Sequence, residues 1–213
     1  MSVVVAIKKD GVIYIGADSQ TTRGKTKLTL TNKNNFKILK VNGAENCLMA
    51  HVGVLRDACL VRTIDNLVRD IDVFRDYIDY QYVIERIVPM IVDRLVEFKF
   101  IKSSDKFDGF ESSFLFAFKD KLFLINYDCS VVEIDDFVAI GSGEAEAFGS
   151  LLTTQDEEDV YSRIEKAILA SSNHDIYVQF PIVISNTDTT EFNVISQPGD
   201  GKEMVKWYKL KIK

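Results

Sequence analysis

MSVVVAIKKDGVIYIGADS, residues 1–19, reads as two strands folded back on one another. Val3–Ile7 is a β-branched run, too short for a helix and rich in strand formers. Lys8-Lys9-Asp10-Gly11 supplies turn chemistry, and Asp-Gly is a strong hairpin signal. Val12–Ile15 is the returning strand, ending at Gly16-Ala17-Asp18. The hairpin starts at the head of the sequence, with no targeting segment or leading helix expected before it. Ser2 is small enough to permit removal of Met1. A serine at the end of a strand then carries its own α-amine beside its own hydroxyl. A serine hydroxyl needs a base to become a nucleophile. A free α-amine, with a pKa of about 7.7–8.0, is partly neutral at working pH. A neighbouring lysine lowers it further by like-charge repulsion.

Composition narrows the function classes. The 213 residues include three prolines and no Ser/Gly-rich or low-complexity tract, so a single domain over 1–213 is expected. Hydrophobic residues make up 46%, enough for a sizeable core. No apolar run approaches the roughly 20 residues of a membrane span. A net charge of −6 without a dense basic cluster argues against a nucleic-acid partner. Cys47, Cys59 and Cys129 form an odd, unpatterned set, as expected in a reducing cytoplasm. Cys47 and Cys59 lie in apolar stretches and are expected to pack as small hydrophobes. His51 and His174 stand far apart with no ligand spacing, so neither a metal nor another cofactor is expected.

Further along, Thr21–Asn35 is polar and turn-rich, with at most a short strand around Lys27–Thr31. Phe36–Val41 alternates as a half-buried strand, and Cys47–Val52 is an apolar strand ending at Gly53. Leu60, Ile64, Leu67 and Val68 then recur at helical spacing. A second helix is expected over Asp79–Phe98, presenting Val83, Ile84, Ile87, Val88, Ile91 and Leu95, with a kink at Pro89. A loop over Lys102–Glu111 leads to strands at Ser113–Phe118, Lys121–Tyr127, Val131–Ile134 and Phe137–Ile140. Gly141-Ser142-Gly143 opens a third helix. Glu146 stands where a nucleotide-binding GxGxxG needs glycine, which argues against a phosphate loop. Thr154-Gln155-Asp156-Glu157 reads as a capping box before a fourth helix that ends at Asn173-His174-Asp175. Strands at Tyr177–Ser185, Phe192–Ile195 and Met204–Ile212 close the chain. Hairpin-rich strands grouped between helix pairs predict an α+β fold, a four-layer α-β-β-α sandwich of two antiparallel sheets.

Four stretches in this order resemble the proteasome β-subunit and HslV peptidases, which are N-terminal nucleophile hydrolases. They are residues 10–24 (DGVIYIGADSQTTRG), 34–58 (NNFKILKVNGAENCLMAHVGVLRDA), 137–152 (FVAIGSGEAEAFGSLL) and 167–178 (AILASSNHDIYV). The resemblance implies that Ser2 occupies the place of the catalytic N-terminal threonine. It implies that Asp18 holds the catalytic lysine, and that this lysine is Lys37. Three extra residues separate Asp18 from Lys37 relative to the family's usual spacing, so Lys33 stands as a rival. Gly53 matches the glycine whose N–H forms the oxyanion hole. Ser142 and Asp175 match the pair supporting the N-terminus, and His51 falls where the family lines its first specificity pocket. Two departures are visible: serine replaces threonine at position 2, and Val178 stands where the family carries a serine.

The implied activity is a threonine-type endopeptidase with a serine nucleophile, hydrolysing peptide bonds through an acyl-enzyme. The implied partners are peptide or unfolded-protein substrates, other copies of the chain in a homo-oligomeric ring, and an ATP-dependent unfoldase. Two other readings stand beside it: an inactive ring or scaffold subunit, and an N-terminal nucleophile amidase acting on a small amide. The joint presence of Ser2, Asp18, Lys37, Ser142 and Asp175 favours catalysis, because an idle buried Asp–Lys pair is costly to retain.

Overall fold

A computed structural model describes residues 2–98 and 109–199. Strand β1 (Val3–Lys9) pairs antiparallel with β2 (Val12–Asp18), and Lys8 and Lys9 extend the ladder opposite Ile13 and Val12. The turn is therefore only Asp10-Gly11, at φ 52° and 77°. A two-residue hairpin turn of this hand needs positive φ at both positions, which Asp-Gly tolerates.

Next come β3 (Gln20–Arg23) and β4 (Thr26–Thr29), a small hairpin separate from the main sheets. Only the second of these was expected. The Thr-rich segment is exposed over most of its length, so it lacks the apolar alternation that marks a strand. Strand β5 (Ile38–Lys40) leads to β6 (Cys47–Val52). The expected first helix is two short ones, α1 (Leu55–Val61) and α2 (Asp70–Phe74). Asn66, at φ 54°, breaks the helical path, while Ile64, Leu67 and Val68 remain buried. Cys59 is exposed, against expectation, because α1 turns Asp57, Ala58 and Val61 inward.

The second expected helix is α3 (Tyr80–Tyr82), a π turn (Val83–Ile87) and α4 (Val88–Glu97) in succession, with Asp79 capping the Tyr82 N–H. The π turn answers the proline. Val88 N–H bonds back to Val83 O, and the wider register carries the backbone past Pro89, which has no N–H to give. It also shifts the helical phase, which leaves Ile84 exposed.

Strands β7 (Ser113–Phe118), β8 (Lys121–Ile125), β9 (Val131–Ile134) and β10 (Phe137–Gly141) follow as expected. Then come α5 (Glu144–Thr153) and α6 (Val160–His174). The capping box at Thr154 is corrected. Thr154 ends α5, its hydroxyl bonding Ser150 O, and Asp159 caps α6 through the Tyr161 and Ser162 N–H groups. Strands β11 (Ile182–Asn186) and β12 (Asn193–Ile195) finish the described chain. The strand expected at Met204–Ile212 and most of the Lys102–Glu111 loop lie outside the described residues.

The sheets run β10-β1-β2-β11-β12 and β5-β6-β7-β8-β9. Side chains alternate along a strand, and β1 shows what this does. Val4 and Ala6 join Ile13 and Ile15 against Leu48, Ala50, Leu115 and Ala117 of the facing sheet. Val3, Val5 and Ile7 turn the other way, onto Leu151, Ile164 and Ile168 of α5 and α6. Across the molecule, Met49, Phe114, Phe116 and Phe118 meet Ile87, Ile91 and Leu95. Each buried large aliphatic or aromatic side chain stabilises the fold by about 1.5–3 kcal/mol. These three cores make the α-β-β-α sandwich that the element order predicted. No helix of the described residues is long and apolar enough to cross a membrane.

Candidate active site

The two sheets bring Ser2, the end of β2 and the approach to β5 together. Lys37 Nζ donates to Asp18 Oδ1 at 2.6 Å, and the same oxygen accepts the Val3 N–H at 3.0 Å. Asp18 Oδ2 accepts the Gln20 N–H at 2.9 Å. Both partners of the ion pair are buried. Burial pushes the Asp18 carboxyl up, opposed by Lys37 and the two backbone donors. Burial likewise pulls the Lys37 ammonium below the ordinary lysine value, opposed by Asp18 and by the charge of Asp175. Lys33, by contrast, sits exposed on a 3-10 turn (Lys33–Asn35). Of the two lysines, Lys37 meets Asp18.

Ser142 and Ser2 are joined by two contacts. Ser2 N–H donates to Ser142 Oγ at 3.1 Å, and Ser142 Oγ approaches Ser2 O at 3.3 Å. Gly143 N–H reaches the same carbonyl at 3.4 Å. Asp175 follows α6. Its Oδ1 accepts the Tyr177 N–H at 2.8 Å, while its Oδ2 is buried with no hydrogen-bond partner among the described residues. Val178 is fully buried and offers no hydroxyl.

Gly53 terminates β6 at φ 113°, a left-handed conformation that favours glycine. A side chain there would also strike the Glu111 carbonyl and Ser112. Two cavities meet at Ser2 and Gly53. One, about 370 Å³, is lined by Phe110, Glu111, Ser112, Tyr127 and Ser142 among others. The other, about 450 Å³, runs beneath the β3–β4 hairpin past Thr21, Leu30, Lys37, His51 and Arg56.

His51 lines the second cavity, with its Nδ1 at 3.1 Å from Lys37 O. Burial and the nearby Lys37 and Arg62 charges push it down to about 3. The folded state therefore binds fewer protons at this site than the unfolded chain between about pH 3 and 6.5, and stability falls as pH drops through that window. At pH 4.5 the expected penalty is on the order of 3 kcal/mol, since each pH unit below the unfolded value costs roughly 1.4 kcal/mol. Denaturant titrations of the wild type and His51→Gln at pH 7 and 4.5 check this: the variant should lose less stability on acidification.

Gln20 and Ser171 were not anticipated. Gln20 ties two parts of the site together, its N–H on Asp18 and its Nε2 on Ile176 O at 3.0 Å, just beyond Asp175. Its place two residues after a strand-ending Asp matches an Asx turn, a signal available in the sequence. Ser171 Oγ donates to Gly143 O at 2.6 Å, fixing the turn after β10 to α6. No local pattern announces that contact across 28 residues.

The proteasome subunit family model matches residues 2–185. A search of curated proteins found no match. Among solved structures, BPH from Thiobacillus denitrificans is similar at 21% identity and TM-score 0.67, over 86% of this chain and 96% of that one. The Gly-1 mutant of Anbu from Hyphomicrobium sp. strain MC1 is similar at 14% identity and TM-score 0.65, over 100% and 95%. The eukaryotic HslV of Trypanosoma brucei is similar at 15% identity and TM-score 0.61, over 86% and 98%.

Proposed function

The chain belongs to the proteasome subunit family, and from that premise we propose that it is an N-terminal nucleophile peptidase acting through Ser2 once Met1 is removed. Ser2 Oγ attacks the peptide carbonyl, and its proton passes to the Ser2 α-amine directly or through one water. Lys37, held by Asp18, keeps the local potential positive and the amine poised in its neutral form. The Gly53 N–H receives the oxyanion, a contribution typically worth about 2.7–4 kcal/mol. The ammonium then gives its proton to the departing amine, leaving an ester on Ser2. Water, deprotonated by the same amine, releases the acyl group. Ser142 accepts from the Ser2 nitrogen, and Asp175, whose Oδ2 is buried without a partner among the described residues, is assigned the support of the amine that removal of Met1 creates.

The observation that carries this reading is the pair of hydrogen bonds accepted by Asp18 Oδ1, from Lys37 Nζ at 2.6 Å and from the peptide N–H immediately after Ser2 at 3.0 Å. A buried ion pair anchored to the first peptide bond is costly and serves an N-terminal reaction. The two cavities flanking Ser2 support peptide over small-amide substrates, with His51 lining a substrate subsite. The reading extends to one domain over 1–213, a cytoplasmic homo-oligomeric ring that encloses unfolded protein, and an ATP-dependent unfoldase that feeds it. Treating Met1-bearing protein with a methionine aminopeptidase tests the proposal. Hydrolysis of a fluorogenic peptide should appear in step with loss of Met1. A fully trimmed chain that stays inert across a varied peptide set would overturn it and favour the scaffold.

A further inference from the structure

Asp57 and Ser112 are both buried, carry hydrogen-bonding side chains, and take no part in the chemistry above. Ser112 Oγ accepts the Val54 N–H at 3.0 Å, lies 2.9 Å from Asp57 Oδ2, to which it donates, and stands 3.3 Å from a longer, uncharged acceptor, Val54 O. Val54 is the residue after Gly53. On the other side of Gly53, Val52 is paired with Ser113 in the β6–β7 ladder. The glycine is thus held at both flanks by one dipeptide, Ser112-Ser113. Arg56 adds a bridge at the rim, from Glu111 Oε2 at 2.9 Å to Asp57 Oδ1 at 3.5 Å.

We infer that Asp57 and Ser112 form a positioning relay that aims the Gly53 N–H at the reacting carbonyl. The physical reason lies in the torsions. Pairing of Val52 fixes the strand entering Gly53, and the Val54–Ser112 bond fixes the peptide plane leaving it. Gly53 itself, at φ 113° and without a side chain, has little to hold its direction. The Asp57 carboxylate, at 2.9 Å, draws the Ser112 proton away from the more distant Val54 O, which leaves an Oγ lone pair for the Val54 N–H. An oxyanion donor acts only when aimed at the position the oxygen occupies in the transition state, and a 1 Å misplacement costs about 100-fold. This inference rests on the reading of Ser2 as nucleophile and Gly53 as oxyanion donor.

The test is steady-state hydrolysis of a fluorogenic peptide by Met1-free wild type, Ser2→Ala, Ser112→Ala, Asp57→Ala, the Ser112→Ala/Asp57→Ala double variant and Asp57→Asn, each checked by thermal unfolding. Ser112→Ala and Asp57→Ala should lower kcat about 10–100-fold with KM within about threefold. The double variant should be no slower than the slower single one, because the two act in series. Asp57→Asn keeps an acceptor oxygen and should stay within about threefold of wild type. Its shape is nearly that of aspartate, so it remains informative if an alanine variant fails to fold. If Ser2→Ala abolishes turnover while folded Ser112→Ala and Asp57→Ala keep wild-type kcat, the relay is overturned and the nucleophile stands. A slow Asp57→Asn with unchanged melting also overturns the relay. If Ser2→Ala retains activity, the underlying reading falls instead.

Discussion

Ser2→Ala is expected to reduce peptide hydrolysis by the Met1-free protein at least about 10⁴-fold, the scale of nucleophile loss in serine hydrolases. The substitution removes one hydroxyl oxygen. The contacts of Ser2 with Ser142 and Gly143 use its backbone N–H and carbonyl, so they survive. The fall in activity should far exceed any change in melting temperature. Ser2→Thr restores a hydroxyl beside the same amine, with a β-branch that restricts its rotamers. It should recover activity to within about tenfold of the wild type. A fluorogenic peptide assay on the three proteins, with matched thermal melts, checks the pattern.

Lys37→Met carries the second large effect, and it falls on stability as well as rate. The side chain is buried, and so is the Asp18 carboxylate it meets at 2.6 Å. Removing one partner of a buried ion pair typically destabilises by about 3–5 kcal/mol, because the other charge is left without compensation. Asp18 keeps the N–H donors of Val3 and Gln20, which sets the expected loss near about 3 kcal/mol. The pH dependence identifies the cause. Without Lys37, burial raises the folded-state pKa of Asp18 further above its unfolded value. The folded protein then binds more protons, so the deficit is largest at neutral pH and shrinks as pH falls toward the ordinary aspartate range. Asp18→Asn/Lys37→Met should regain much of the stability and none of the activity. Denaturant melts at pH 7 and 5, read beside the peptide assay, separate the two effects.

The fold was legible where local chemistry and apolar period agreed. Asp10-Gly11, the β-branched β1 and the strands from Ser113 to Gly141 announced themselves. The helices on the other face were less legible. Leu60, Ile64, Leu67 and Val68 keep helical spacing, yet Asn66 breaks the path and the last three are buried from irregular backbone. The π turn before Pro89 has no signature beyond the proline itself. At the site, the spacing from Asp18 left Lys33 and Lys37 as rivals, because the β3–β4 hairpin lies between. Phe36–Val41 read as a half-buried alternating strand, but Phe36, Lys37, Ile38 and Leu39 are all buried. The sheet is covered on both faces, and there a lysine persists only with a partner. The Asp57–Ser112 contact joins residues 55 apart and was invisible to any local pattern.

The central claim is that the reaction uses the hydroxyl and the α-amine of one residue. The most direct measurement is the intact mass of the chain purified from its native host, with peptide hydrolysis assayed on the same sample. The account predicts a chain lighter by one methionine residue and turnover that depends on Ser2. A chain that retains Met1 and still hydrolyses peptide would contradict it, since Ser2 would then have no amine to serve as the base.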